Sequence, residues 1–154
     1  MSDPIQTAII AHMKQVTGIG QVFAYEPYHR QAQDLIALYL VAGKINGWSV
    51  LREALTETPA TIGTIGVFQN SEKTDWKIIG FREITEPGDS ALLFNETIDA
   101  LRDVFRNNRT LSIPGITTVF EERAGLELID TGLAQFGGAI CHTAILGLTT
   151  ERRI

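Results

Sequence analysis

Between two blocks of strand-like sequence lies one stretch with a clear helical period. Leu93, Phe94, Thr97, Ile98, Leu101, Val104 and Phe105 recur along residues 91–106 at the three-and-four spacing that gathers side chains on one side of a helix. Asp99, Arg102, Asp103 and Arg106 fall on the opposite, wet side. Asp89 or Ser90 supplies the N-cap, and Asn107-Asn108 ends the run. A helix striped in this way must cover an apolar surface. Its neighbours in the chain read as strands, so that surface is a sheet.

Only one other segment reads as a helix. Asp3 is suited to an N-cap and Pro4 to the first helical position, and Ile5, Ala8, Ile9, His12, Met13 and Val16 follow at helical spacing. The pattern predicts a helix over 4–17, stopped by Gly18 and Gly20. The rest predicts strands. A short one is expected at 21–25. Residues 35–42 are nearly all apolar, which predicts a strand buried on both faces. Asn46-Gly47 is a hairpin signal, with 48–58 as the return strand, although Arg52-Glu53-Ala54-Leu55 also suits a helix. In 75–84, Trp76, Ile78 and Gly80 share one face, while Lys77, Ile79 and Phe81 share the other. Apolar residues on both faces predict a central strand or one covered by a partner. Further strands are expected at 116–120, 125–130 and 133–136. Gly137-Gly138 then turns into a long alternating strand over 139–150, with Ile140, His142, Ala144, Leu146 and Leu148 on one face.

Residues 58–69 are apolar yet broken by Pro59, Gly63 and Gly66. Two readings stand side by side: an irregular strand with a bulge, or a mobile arm that orders against a partner. The order helix, strands, helix, strands, joined by short connections, predicts an α+β fold. A mostly antiparallel sheet would pack against two helices in a two-layer sandwich, as one domain. The length of 154 residues suits one core and is short for two.

Composition narrows the function classes. A net charge of -5 argues against a nucleic-acid binder led by phosphate contacts. No apolar run reaches the roughly 18 to 20 residues of a membrane helix, and Met1-Ser2-Asp3-Pro4 lacks the basic start of a signal peptide. Cys141 is the single cysteine, which excludes an internal disulfide or a multi-cysteine zinc site. The three histidines, His12, His29 and His142, show no metal-ligand spacing. Cys141 and His142 resemble a nucleophile and base, but adjacent strand residues point to opposite faces. Glu121-Glu122 and Glu83/Glu86 read as solvated acidic pairs. Arg102, Arg106 and Arg109 suit a helix C-terminus. No catalytic, cofactor-binding or metal-binding set is expected. The informative features are apolar and architectural.

Several segments in succession carry a resemblance. Gly43-Lys44-Ile45-Asn46-Gly47-Trp48 follows an apolar run, and Trp76-Lys77-Ile78-Ile79-Gly80-Phe81 precedes a capped helix with Leu93-Phe94 and Ile98. Ala124-Gly125-Leu126-Glu127 then leads to Phe136-Gly137-Gly138 and Cys141-His142. This succession resembles the tail terminator, or tail completion, proteins of long-tailed bacteriophages and prophages. The resemblance implies a homo-hexameric ring on the head-proximal end of the tail tube, in a virion assembled in the host cytoplasm. The ring would end tube polymerisation and meet the head-side connector or stopper proteins of the neck, and in contractile tails the sheath protein. DNA would pass through its lumen without specific binding, and no membrane is involved. Other neck or tail components, and a small ligand-binding or enzymatic α+β domain, are the alternatives. The interface residues expected from the apolar pattern are Ile62, Ile65, Val67 and Phe68 in the broken arm, with Trp76.

Overall fold

The computed structural model describes residues 3–26, 32–59, 70–85, 88–136 and 138–153. The elements run α1 (Pro4–Met13), β1 (Gln21–Phe23), α2 (Ala32–Tyr39), β2 (Leu40–Val41), β3 (Lys44–Pro59), β4 (Asn70–Glu83), α3 (Ser90–Asn107), β5 (Ile116–Thr117), β6 (Glu127–Phe136) and β7 (Ala139–Arg153). The result is a mixed sheet with three helices, compatible with the expected α+β class.

Four long strands lie side by side in the order β3-β4-β7-β6, each antiparallel to its neighbour. β1 adds to β3 in parallel through Gln21↔Gly47 to Phe23↔Ser49. β5 meets the end of β7 at Glu151 and Arg152. Alternation divides the side chains between the two faces. On one face Trp48, Val50, Trp76, Ile78, Ala144, Leu146 and Leu148 are buried under Ile5, Ile9 and Met13 of α1 and Phe94, Ile98, Leu101 and Phe105 of α3. The Trp48 ring stacks on Phe94 at 5.7 Å and lies across Gly80, where any Cβ would collide with it. Trp76, Ile78 and Gly80 share this face as their spacing predicts.

α1 starts as its sequence dictates. The Asp3 carboxylate accepts the Ile5 N–H at 2.9 Å, with Pro4 in the first turn. α1 ends at Met13 rather than at residue 17. The chain then tightens, with Gln15 bonding back to His12 and Val16 to Met13, and Val16 stays buried. At α3 the Asp89 side chain makes no capping bond; Ser90 is the first helical residue. Leu93 is 39% exposed, so the buried stripe of α3 omits it.

Two expectations are corrected. Residues 35–42 do not form a buried strand: α2 occupies 32–39, and only Leu40–Val41 is extended. Helical spacing brings Ile36 and Tyr39 into one cluster with Ile45, Phe81, Phe136 and Cys141, on the face opposite α1 and α3. Asn46-Gly47 is not a turn either. Both residues sit inside the ladder, opposite Arg82 and Phe81. The tight turn is Ala42-Gly43, whose φ values of 52° and 78° are the two positive angles that a two-residue hairpin requires. Gly47 instead leaves room for the Tyr39 ring, which its Cβ would strike. The Asn46 amide donates to the Gly18 carbonyl at 3.1 Å, tying β3 to the link after α1.

Smaller differences follow the same logic. The expected strands at 125–130 and 133–136 are one strand, β6, with a bulge between Leu128 and Asp130. The strand expected at 116–120 shrinks to two residues. Ile140, at the start of β7, is 56% exposed.

Candidate functional site

Of the five residues expected at an interface, Ile62, Ile65, Val67 and Phe68 lie outside the described residues. They belong to the segment joining β3 to β4, whose last ladder pair is Pro59↔Asn70. Trp76 is inside the protein. It is 1% exposed, and its indole N–H donates to the Thr150 hydroxyl at 3.0 Å. Trp76 therefore offers no surface to a partner and is removed from the expected interface.

Most of the reactive side chains are engaged in the scaffold. Cys141 is fully buried in the Tyr39 cluster. Burial pushes its thiol up to about 11, with the Glu83 carboxylate adding to the effect. It stays protonated at neutral pH, and the thiolate is the nucleophilic form. His142 lies on the other face, stacked on Phe94 at 5.9 Å, with Nε2 3.0 Å from the Ser90 hydroxyl. That hydroxyl also accepts the Thr85 N–H at 3.2 Å. His142 and Ser90 thus pin the start of α3 to β7. Ser90 is 1% exposed, so the pair is not an accessible nucleophile and base. His12 contacts the Ala8 carbonyl one turn back, at 2.7 Å through Nδ1. His29 and Glu86 lie outside the described residues. Glu83 pairs with Lys44 at 3.2 Å, Glu121 and Glu122 are exposed, and Arg106 pairs with Asp103 on α3. The Arg109 Nε–H donates to the Arg106 carbonyl at the end of that helix, at 3.3 Å.

Exposed apolar side chains occur at both sides of the sheet, and also at Tyr25, at Leu92 and Leu93 of α3, and at Val119. On the β6 side stand Leu128 (43% exposed), Ile129 (56%), Leu133 (64%) and Ile140. Ile129 leans over Gly147. Near Leu133 an open cleft of about 240 Å³ runs to the α3 residues Ala91, Phe94 and Asn95, with His142 at its base. On the opposite side β3 runs beyond its contact with β1. Arg52 to Pro59 is exposed throughout, with Leu55 its large apolar residue. The described structure thus brings forward Leu55, Leu128, Ile129 and Leu133, which the sequence did not single out. The usable signal was apolar residues on a strand with no second element to cover them. Splitting β6 into two short strands hid it.

Among the described residues, no group of three or more His, Cys, Asp or Glu side chains is placed to hold a metal ion. No described helix is long and apolar enough to cross a membrane. The chain matches no protein-family model, and no curated protein is similar enough to count as a relative.

Proposed function

We propose that this chain is a tail terminator of a long-tailed phage or prophage. Six copies form a ring on the head-proximal end of the tail tube, stop its polymerisation, and present a surface to the neck connector or stopper proteins. The sheet with α1 and α3 is the two-layer body of the subunit. The ring is assembled in the host cytoplasm and retained in the virion, and in a contractile tail it also meets the last ring of sheath.

One observation carries the reading beyond the motif succession. A ring requires a heterologous interface, in which one patch of each subunit meets a different patch of the next. Two different strand edges lie at opposite sides of one sheet, with exposed Leu55 on β3 and exposed Leu128, Ile129 and Leu133 on β6; Tyr25, Leu92 and Leu93 are exposed elsewhere. An open strand edge is a template for pairing with another chain. The net charge of -5 suits a lumen through which DNA slides without being gripped.

The test is negative-stain microscopy of the purified protein, alone and with isolated tail tubes. Closed rings, or one added ring at a single tube end, support the terminator. Long cylinders would make the chain a tube protein. Monomers that ignore both tube ends would remove the proposal.

A further inference from the structure

We propose that neighbouring copies join by continuing one β-sheet: β6 of one copy adds, antiparallel, to the open stretch of β3 in the next. The inference deepens the ring reading and rests on it.

The topology supplies two free edges. β6 pairs with β7 along one side and, among the described residues, with nothing along the other. β3 pairs with β4 on one side. On its other side the β1 ladder stops at Ser49, and the Gln6 amide donates to the Val50 carbonyl at 2.8 Å. From Leu51 to Pro59 that side has no strand beside it among the described residues, and residues 52–59 are exposed. An open edge is a row of unmade backbone hydrogen bonds, which a strand of another chain completes. The free lengths match: β6 has 10 residues, and residues 51–59 of β3 number nine.

Strand direction fits as well. β3, β4, β7 and β6 alternate in direction, so β3 and β6 run opposite ways within one copy. Rotation about an axis parallel to the strands preserves each direction. It therefore sets β6 of one copy against β3 of the next in antiparallel fashion, the more stable ladder. The two edges differ from each other, so the contact is heterologous; it makes a ring where its rotation closes, as the ring reading requires.

The side chains point the same way. Edge strands that must stay single are blunted by charged side chains, above all lysine, by proline and by bulges. β6 contains no lysine or proline; the open stretch of β3 has no lysine, has proline only at its last residue, Pro59, and carries Arg52, Glu53 and Glu57. Pairing would continue the face that carries Leu55, Leu128 and Leu133, with Ile129, which leans over Gly147, on the other face. Each strand also carries a bulge, between Arg52 and Ala54 in β3 and between Leu128 and Asp130 in β6. Bulges bend and twist a strand; at an edge left single they turn it away from pairing, and in a sheet continued around a ring they supply curvature.

The experiment uses the full chain with Cys141→Ala, which removes the only native thiol. Leu55→Cys and Leu133→Cys are added at these exposed positions, together and singly, and treated with a short bismaleimide. A companion variant, Ile129→Lys with Leu133→Lys, is followed by sedimentation, with thermal unfolding as the folding control. The proposal expects a covalent ladder up to the hexamer from the double-cysteine chain, and none from either single variant. It also expects the lysine variant to fold with an unchanged midpoint and lose its rings. A dimer from Leu133→Cys alone would show two β6 strands pairing symmetrically and overturn the proposal. Rings that persist in the lysine variant, without a ladder from the double-cysteine chain, would overturn the edge contact and leave the ring reading standing. Unsubstituted protein that stays monomeric both alone and on tubes would overturn the ring reading itself.

Discussion

Trp76 and Cys141 show what single residues contribute to this scaffold. The Trp76 indole fills the core and ties β4 to Thr150 of β7 through its N–H. Trp76→Ala is expected to cost about 3–5 kcal/mol through lost burial and an unfilled cavity, a large part of a typical domain's stability of about 5–15 kcal/mol. Urea unfolding followed by far-UV circular dichroism checks this, and an unchanged midpoint would contradict the core role. Cys141 gives a pH signature. Its thiol is held up to about 11 in the folded chain, against about 8.5 in an unfolded one. Between those values the unfolded state has lost a proton that the folded state keeps, so stability falls as pH rises. Tyr39, raised from its ordinary value by burial, adds a loss of the same sign at higher pH. The urea midpoint should therefore drop between about pH 8 and pH 10.5, and drop less in Cys141→Ala, which lacks the thiol. Equal drops in the two proteins would contradict the account.

At the scale of elements, legibility depended on whether one pattern held over many residues. α3 and β7 were readable because their stripe or alternation persists for a dozen residues or more. β4 was readable only from Asp75: Asn70 to Thr74 reads as a turn from its polar residues, yet it is strand, held between β3 and β7. α2 was not. Its apolar run begins at Leu35, whereas the helix begins at Ala32, in a polar stretch, so the apolar pattern alone does not mark the first turn. Packing of Tyr39 against Phe23, Phe81 and Phe136 settles the helix, and those partners are distant in sequence. The Asn46-Gly47 signal failed for a similar reason: its glycine is needed for clearance under Tyr39, a contact that no local rule detects. The arm that joins β3 to β4 can be tested directly. Pro59 and Asn70 are ladder partners, so deleting residues 62–68 leaves 60, 61 and 69 to close the hairpin, a length that hairpins commonly use. The shortened chain should keep its unfolding midpoint and lose tube capping in a tube-length assay. Normal capping would show that Ile62, Ile65, Val67 and Phe68 take no part.

For the whole molecule, the sheet-with-helices class and the core were legible, and the two free edges were not. Strand order is set by contacts far apart in the chain, such as Trp76↔Leu148 and Arg82↔His142, and only that order shows which strands lie outermost. In the proposed assembly the edges at β3 and β6 give the α+β body two unlike joining surfaces. The central claim is that these units close into a ring at one end of a tube. Negative-stain microscopy of the purified chain mixed with isolated tail tubes tests it most directly. The account predicts a single closed ring at one tube end and tubes that no longer lengthen. Bare tube ends with the chain still monomeric would contradict it.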